Sequence, residues 1–330
     1  MSPIPGVPET VLIAPDAFKG TFTAAEVAQA IGRGLTDGGR PVDLCPVADG
    51  GEGTLDVLAE ALGAQRRRVD ATGPMGEPVT ADFAIAGDVA VVETAAASGL
   101  QLVAPEDRDA GGAGTAGTGE LIAAAAAAGA HTVYLGVGGS ATTDGGAGAI
   151  KAIRHAGGLD RVRLVVLCDV RTPFEDAARV FGPQKGADED EVRRLTERLN
   201  RQARRLDPDP RGIPMTGAAG GLSGGLWSAF GAELVPGAAH VLDAVGFDAR
   251  MRAARAVVTG EGKLDEQSLV GKVVAEVATR ARQSGVPCHA VVGTRELDAM
   301  GARILDLDQV IQASSLDEIE AAGRALADLI

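Results

Sequence analysis

The chain has 330 residues, 45% of them hydrophobic and 3% aromatic, and a formal net charge of −14 at pH 7. That length suggests about two domains, because single cores seldom grow beyond ~250–300 residues. The acidic balance argues against nucleic acid and anionic membrane surfaces as partners, since both call for basic patches, so an anionic substrate must find a local basic site. The opening segment MSPIPGVPETVLIAP lacks the basic start and long apolar core of a signal peptide. The run LIAAAAAAGA (121–130) is about half a bilayer span and reads as a buried helix. Cys45, Cys168 and Cys288 each lie in an apolar strand-like run without CxxC spacing, as core thiols of a reducing cytoplasm do.

In chain order, ETVLIAP (9–15) is a short apolar strand followed by the loop DAFKGTF. Thr23-Ala24-Ala25-Glu26 matches a capping box that opens a helix, and Gly38-Gly39 ends it. The scheme repeats: strand PVDLCPV (41–47), loop ADGGEG (48–53), helix TLDVLAEAL (54–62). Strand, polar glycine-bearing loop and helix, twice over, imply a parallel sheet. In such sheets, ligands lie beyond the carboxyl ends of the strands, where both loops fall.

From Arg66 the texture changes to alternating apolar and polar residues around Gly-Pro and Gly-Asp turns, which predicts antiparallel strands and a domain boundary near residue 66. An alanine-rich helix (118–129) follows, then the strand TVYL and the glycine-rich GVGGSATTDGGAGA (136–149). Next come strand RLVVLCDV (163–170), the turn VFGPQKGAD (180–188) and a charged helix (189–205). DPDPRGIP (207–214) reads as an exposed loop and TGAAGGLSGGL (216–226) as a second glycine-rich loop. RAVVTGEGKLDEQS (255–268) gives a strand and polar loop, residues 269–283 a helix, and the tail returns to strand–helix grammar with a cap at Ser315 and Glu318. The simplest assembly is an α/β protein with a Rossmann-like parallel sheet formed by residues 1–66 and 286–330. A second α/β domain over 67–285 is inserted between them, and its far boundary falls within 255–285.

Lysine usage is unusual. Only Lys19, Lys151, Lys185, Lys263 and Lys272 appear among 31 basic residues, and all except Lys151 lie next to a glycine. Glycine lets backbone approach a ligand closely, and an ammonium is a compact partner for phosphate or carboxylate. The stretch from Gly136 to Ala141 matches the pattern of a dinucleotide loop, but the acidic residue that should follow about 20 positions on lies 33 residues on, at Asp169. A Walker loop is excluded because GKL and GKV lack the magnesium-binding Ser or Thr. What remains is a turn whose amides at Gly138 and Gly139, with Ser140, Thr142 and Thr143, can cradle an anion.

Carboxylates gather in the same kind of loop: Asp16, Asp49, Glu52, Asp144, Asp169, Glu261 and Asp265. Phosphoryl transfer uses such groups to hold magnesium and to accept the proton of the attacking hydroxyl, while lysines and amides stabilise the transferred charge. The four histidines have no metal-ligand spacing, and the chemistry is expected to run on carboxylates and lysines.

The blocks APDAFKGTFTAAEVAQAIGRGL, PVADGGEGTLDVL, GVGGSATTDGGAGA, VFGPQKGA and VTGEGKLDEQSLVGK resemble, in order, those of the bacterial glycerate kinases. The resemblance implies a Rossmann-like domain with an inserted α/β domain, an interdomain active site, and phosphoryl transfer from ATP–Mg²⁺ to D-glycerate or a similar hydroxy acid, with 2-phosphoglycerate as product. Carried over by motif, the implied site comprises Asp16, Lys19, Asp49, Gly50, Glu52, Ser140, Asp144, Asp169, Lys185, Glu261, Lys263 and Asp265. Within that set we assign Asp169 as base, Lys19 and Lys185 to phosphate or carboxylate, and Asp49, Glu52 and Glu261 to magnesium. Relative to the family pattern, the chain is shortened after Gly148 and again after Asp169. Those gaps motivate the alternative of a relative that binds nucleotide or organic acid without turnover. Monomer and homodimer are both compatible with the sequence.

Overall fold

The computed structural model describes residues 9–269 and 272–330, so the first eight residues and Gly271, the glycine beside Lys272, lie outside the described residues. Its strands are β1 (Val11–Pro15), β2 (Val42–Leu44), β3 (Gln65–Thr72), β4 (Pro78–Ala86), β5 (Val89–Glu93) and β6 (Thr132–Gly136). They continue with β7 (Arg163–Leu167), β8 (Glu233–Val235), β9 (Ala256–Leu264), β10 (Cys288–Arg295) and β11 (Gln309–Gln312). The chain divides into two compact units, residues 1–49 with 238–330, and residues 50–237.

The first unit holds a five-stranded sheet in the order β11-β10-β9-β1-β2, parallel at every pairing. Its central strands are continuous apolar runs because both faces are covered. Val11 and Ile13 pack with Val27 and Ile31 of the helix Ala24–Asp37 and with Ile319 and Leu326 of the helix Leu316–Ala327. The capping box forms as predicted: Thr23 Oγ1 accepts from the Glu26 amide, and the Thr23 amide donates to Glu26 Oε2 at 2.8 Å. The C-terminal strands therefore complete the N-terminal half-sheet.

The second unit holds a six-stranded mixed sheet, β3-β4-β5-β6-β7-β8, antiparallel across β3–β4–β5 and parallel from β5 to β8. Its core joins Val92, Leu121, Ile122, Val133, Leu135, Ile153 and Val166. The boundary falls at Asp49/Gly50 rather than near residue 66, because the helix Thr54–Leu62 packs on β4 and β5 and its Leu55 amide donates to Glu93 Oε1 at 2.7 Å. At the far end the boundary is Gly237/Ala238, ahead of the expected 255–285, because β9 pairs with β1.

A second difference concerns residues 216–226, expected as a loop. Ala218–Phe230 is a helix with left-handed residues at Ala219, Gly220 and Gly221. Its glycines are packing positions. A Cβ on Gly220 would lie 2.0 Å from the Thr142 carbonyl oxygen, and one on Gly225 would lie 2.3 Å from that of Gly145. Glycine here lets the helix press against the 136–149 segment.

Candidate active site

In the first unit the polar groups collect where β1, β2 and β9 end. Because these strands are parallel, the loops that leave them emerge at the same edge of the sheet. Asp16, directly after β1, is buried, and its Oδ1 accepts from the Ala17 amide at 2.7 Å. Burial, reinforced by the negative charge of Asp49, pushes its carboxyl well above the usual range. Lys19 Nζ pairs with Asp49 Oδ2 at 2.9 Å. Burial alone would pull the Lys19 ammonium down, but Asp49 and Asp16 outweigh it and hold it above its ordinary value.

Glu261, near the end of β9, is only 6% exposed. Burial pushes its carboxyl up to about 7, against the opposing pull of Ser268 and Lys272. Its Oε1 has no hydrogen-bond partner, while Lys272 Nζ stands 3.8 Å from Oε2 and 3.5 Å from Asp265 Oδ1. Lys263 is half exposed and pairs with Glu296 at 2.9 Å and, more distantly, with Asp265 at 3.9 Å. Lys272 thus stands beside both Glu261 and Asp265, whereas Lys263 reaches only Asp265.

In the second unit the loops after β5, β6 and β7 share the carboxyl edge of the parallel segment. Gly50 has φ +88°, and a Cβ there would meet the Leu167 carbonyl oxygen at 2.4 Å. Gly138 approaches Gly51 in the same way, with a Cβ-to-Cα distance of 2.4 Å, and its amide donates to the Gly50 carbonyl at 3.1 Å. Gly139 has φ +70°. These glycines let the 50–53 and 136–140 loops touch. Glu52 is exposed.

Lys185 is the most buried charged group of the set, at 2% exposure. Its Nζ donates to Ser140 Oγ at 3.0 Å and to the Thr142 carbonyl at 2.5 Å. Both acceptors are neutral, and burial lowers the ammonium to about 7 despite the Asp144 charge nearby. Asp144 is fully engaged. Its Oδ2 accepts from the Thr115 amide and hydroxyl and the Gly148 amide, and its Oδ1 accepts from the Gly146 amide, at 2.8 to 3.0 Å. Asp169, two residues beyond β7, accepts from the Gly237 amide at 2.7 Å.

The structure thus gathers Asp16, Lys19, Asp49, Glu261 and Asp265 in one unit, and Ser140, Asp144 and Lys185 in the other. Sequence reasoning missed Lys272 as a partner of Glu261 and Asp265. It also missed Glu93, whose carboxyl burial raises above its usual value while it receives the Leu55 amide. Lys272 was visible as a glycine-flanked lysine; Glu93, at the end of an apolar strand, carried no motif.

Buried carboxylates beyond the carboxyl ends of parallel strands, with one buried ammonium group, characterise this α/β protein. The glycerate kinase family model matches residues 11–157 and 154–328. A glycerate kinase of Halalkalibacterium halodurans is 37% identical, with 96% of this chain and 97% of the relative covered, and glycerate 2-kinase of Escherichia coli K12 is 36% identical over 97% and 94%. A crystal structure from Salmonella typhimurium LT2, assigned as a glycerate kinase 2, superposes with a TM-score of 0.82 at 34% identity, covering 98% of each chain. The chain belongs to the glycerate kinase family.

The comparisons also bear on the shortened segments. The alignment with the H. halodurans enzyme runs over 373 positions, more than this chain's 330 residues, so the relative carries residues absent here. The two family-model matches meet at residues 154–157, within the segment after Gly148 that the sequence marks as short. There the helix Ala147–His155 leads to β7 through a turn with left-handed Gly157 and Gly158. After Asp169, the short segment is sealed by Phe174, fully buried against Ala177, Leu195 and Leu199, its amide bonded to Thr216 Oγ1 at 3.0 Å.

Proposed function

We propose that the chain is an ATP-dependent glycerate kinase that transfers the γ-phosphoryl group of ATP to the 2-hydroxyl of D-glycerate, giving ADP and 2-phosphoglycerate. Family membership over nearly the whole chain carries this reading. The 2-hydroxyl is favoured by the E. coli relative, which is a glycerate 2-kinase.

The reaction needs a group to take the hydroxyl proton, positive charge or N–H donors around the transferred phosphoryl group, and a divalent cation. Asp169 is the base: the attacking oxygen bonds phosphorus, the bond to the β-phosphate oxygen breaks, and the hydroxyl proton passes to the carboxylate. The Gly237 amide orients that carboxylate. Lys19 and Lys185 supply charge to phosphate or substrate carboxylate, and Ser140 with the Gly139 amide supplies O–H and N–H donors, the Gly138 amide being committed to the Gly50 carbonyl. Asp16, Asp49, Gly50, Lys263 and Asp265 complete the binding set. Asp144 acts as a positioning residue, because its acceptors are already committed to backbone and Thr115.

Among the described residues no group of three or more His, Cys, Asp or Glu forms a metal cage. Magnesium suits such a chain, because it is commonly held by one or two carboxylates together with substrate phosphates. The unpartnered, buried Glu261 Oε1 fits that demand, with Asp49 of the same unit as its proposed companion; Glu52, exposed and in the other unit, is not brought to them. When bound, the ion neutralises charge on the β- and γ-phosphates.

None of the described helices is long and apolar enough to cross a membrane, and the three free, buried cysteines favour a cytoplasmic setting. The test is ADP release from purified protein with ATP, magnesium and D-glycerate. Glycerate-dependent ADP above the blank is expected. The alternative, a relative that binds without turnover, is favoured only by the shortened segments; saturable ligand binding with no glycerate-dependent ADP would establish it and overturn the kinase reading.

A further inference from the structure

Arg108 lies on a small pocket of the second unit. Its Nε is buried and has no hydrogen-bond partner, and no carboxylate among the described residues pairs with its guanidinium. It lines one small pocket with Lys185, whose walls include Val103, Ala113 and Ala141. Lys185 brings a second cation that likewise lacks a carboxylate partner, since its donors go to Ser140 and a carbonyl. The one acidic wall residue, Asp109, has its Oδ1 taken by the amides of Gly111 and Gly112. Nor is Asp144 available, its oxygens being engaged by Thr115, Gly146 and Gly148.

The backbone holds this pair together. Gly186, directly after Lys185, has φ +94°, and a Cβ there would stand 2.8 Å from the Arg108 carbonyl oxygen and 3.1 Å from its Cβ. The turn that carries Lys185 therefore presses on Arg108. Neither Arg108 nor Lys185 forms an ion pair with a carboxylate among the described residues, and an anion that accepts from both supplies that charge-assisted contact. The pocket is too tight for a water-sized molecule as it stands, so a ligand requires its wall to move, and Met75 is the exposed apolar side chain on that wall.

We infer that Arg108 and Lys185 together bind the carboxylate of the hydroxy-acid substrate, with Arg108 as a specificity-determining residue. This rests on the glycerate kinase reading above. The small apolar wall suits a short carbon chain, and the planar guanidinium suits the two carboxylate oxygens.

The test compares wild type with Arg108→Met and Arg108→Lys in steady-state kinetics, alongside the thermal shift that glycerate alone produces. Loss of a charge-assisted contact should raise KM for glycerate by about 10- to 100-fold in R108M, with KM for ATP changed by less than about two-fold. R108K should recover part of the loss, and the glycerate-induced rise in Tm should vanish in R108M. An unchanged KM for glycerate in both variants overturns the inference, as does a rise confined to KM for ATP, which would make the pocket a phosphate site. If R108M does not fold, R108K decides alone: its KM for glycerate must rise, and normal values refute the assignment. Should wild type itself fail to phosphorylate glycerate, the kinase reading falls, while the thermal shift and its loss in the variants still decide whether Arg108 binds the acid.

Discussion

Lys185 is an ammonium held almost without water, its three donors facing a hydroxyl, a carbonyl and the pocket it shares with Arg108. Its pKa falls from 10.5 to about 7 on folding, so between those values the unfolded chain holds the extra proton. Stability therefore rises with pH across that window: the penalty is full below pH 7 and gone above 10.5. Replacing Lys185 with Met should remove this slope. Urea unfolding at pH 7 and pH 9 should show wild type gaining on the order of 2 kcal/mol relative to K185M; parallel pH profiles would show that Lys185 is already charged in the fold. Asp169→Asn should lower kcat by about 10²- to 10⁴-fold with little change in KM for ATP, as removal of a general base does; near-normal turnover would take Asp169 out of that role. Both residues were legible in the sequence through glycine flanks and strand ends. Arg108 was not, because one arginine among many carries no local signal and the pocket it shares with Lys185 is a property of the fold.

At the scale of elements, Asp144 ties two helices together. Thr115 and Gly146 are the N-cap positions of the helices Ala116–Ala127 and Ala147–His155, and one carboxylate receives amides from both starts. A negative charge there satisfies unpaired N–H groups and complements both helix dipoles. Asp144→Ala should therefore cost about 2–4 kcal/mol in urea unfolding, with Asp144→Asn recovering part of it; a loss under about 0.5 kcal/mol would show the tie to be dispensable. Polar spacing in GVGGSATTDGGAGA marked Asp144 as functional but could not show that it points at backbone. The segment 216–226 misled for a related reason: its glycines look like a turn in sequence, whereas their role is to let a helix lie against residues 142–145. Local turn chemistry and close packing leave the same mark, and only the partner segment separates them.

For the molecule as a whole, strand grammar made the parallel sheet and the insertion legible, since βα repeats at both ends of the chain require one another. The boundaries were less legible, because the helix Thr54–Leu62 continues the βα rhythm in sequence and yet packs on β4 and β5. Residues 50–237 contain a complete sheet and their own core. The excised fragment should unfold cooperatively, whereas residues 1–49, lacking three of the five strands of their sheet, should not; a fragment 50–237 without a cooperative transition would contradict the division. The two shortened segments close into packed structure around Phe174 and the 156–162 turn, so the proposed base stands on an intact scaffold. ³¹P NMR of the reaction mixture tests the phosphoryl transfer most directly. With ATP, magnesium and D-glycerate, ADP and an equal amount of a phosphomonoester at C2 are expected, absent without glycerate and suppressed in D169N. ATP turnover that leaves glycerate unphosphorylated, or no turnover at all, would contradict it.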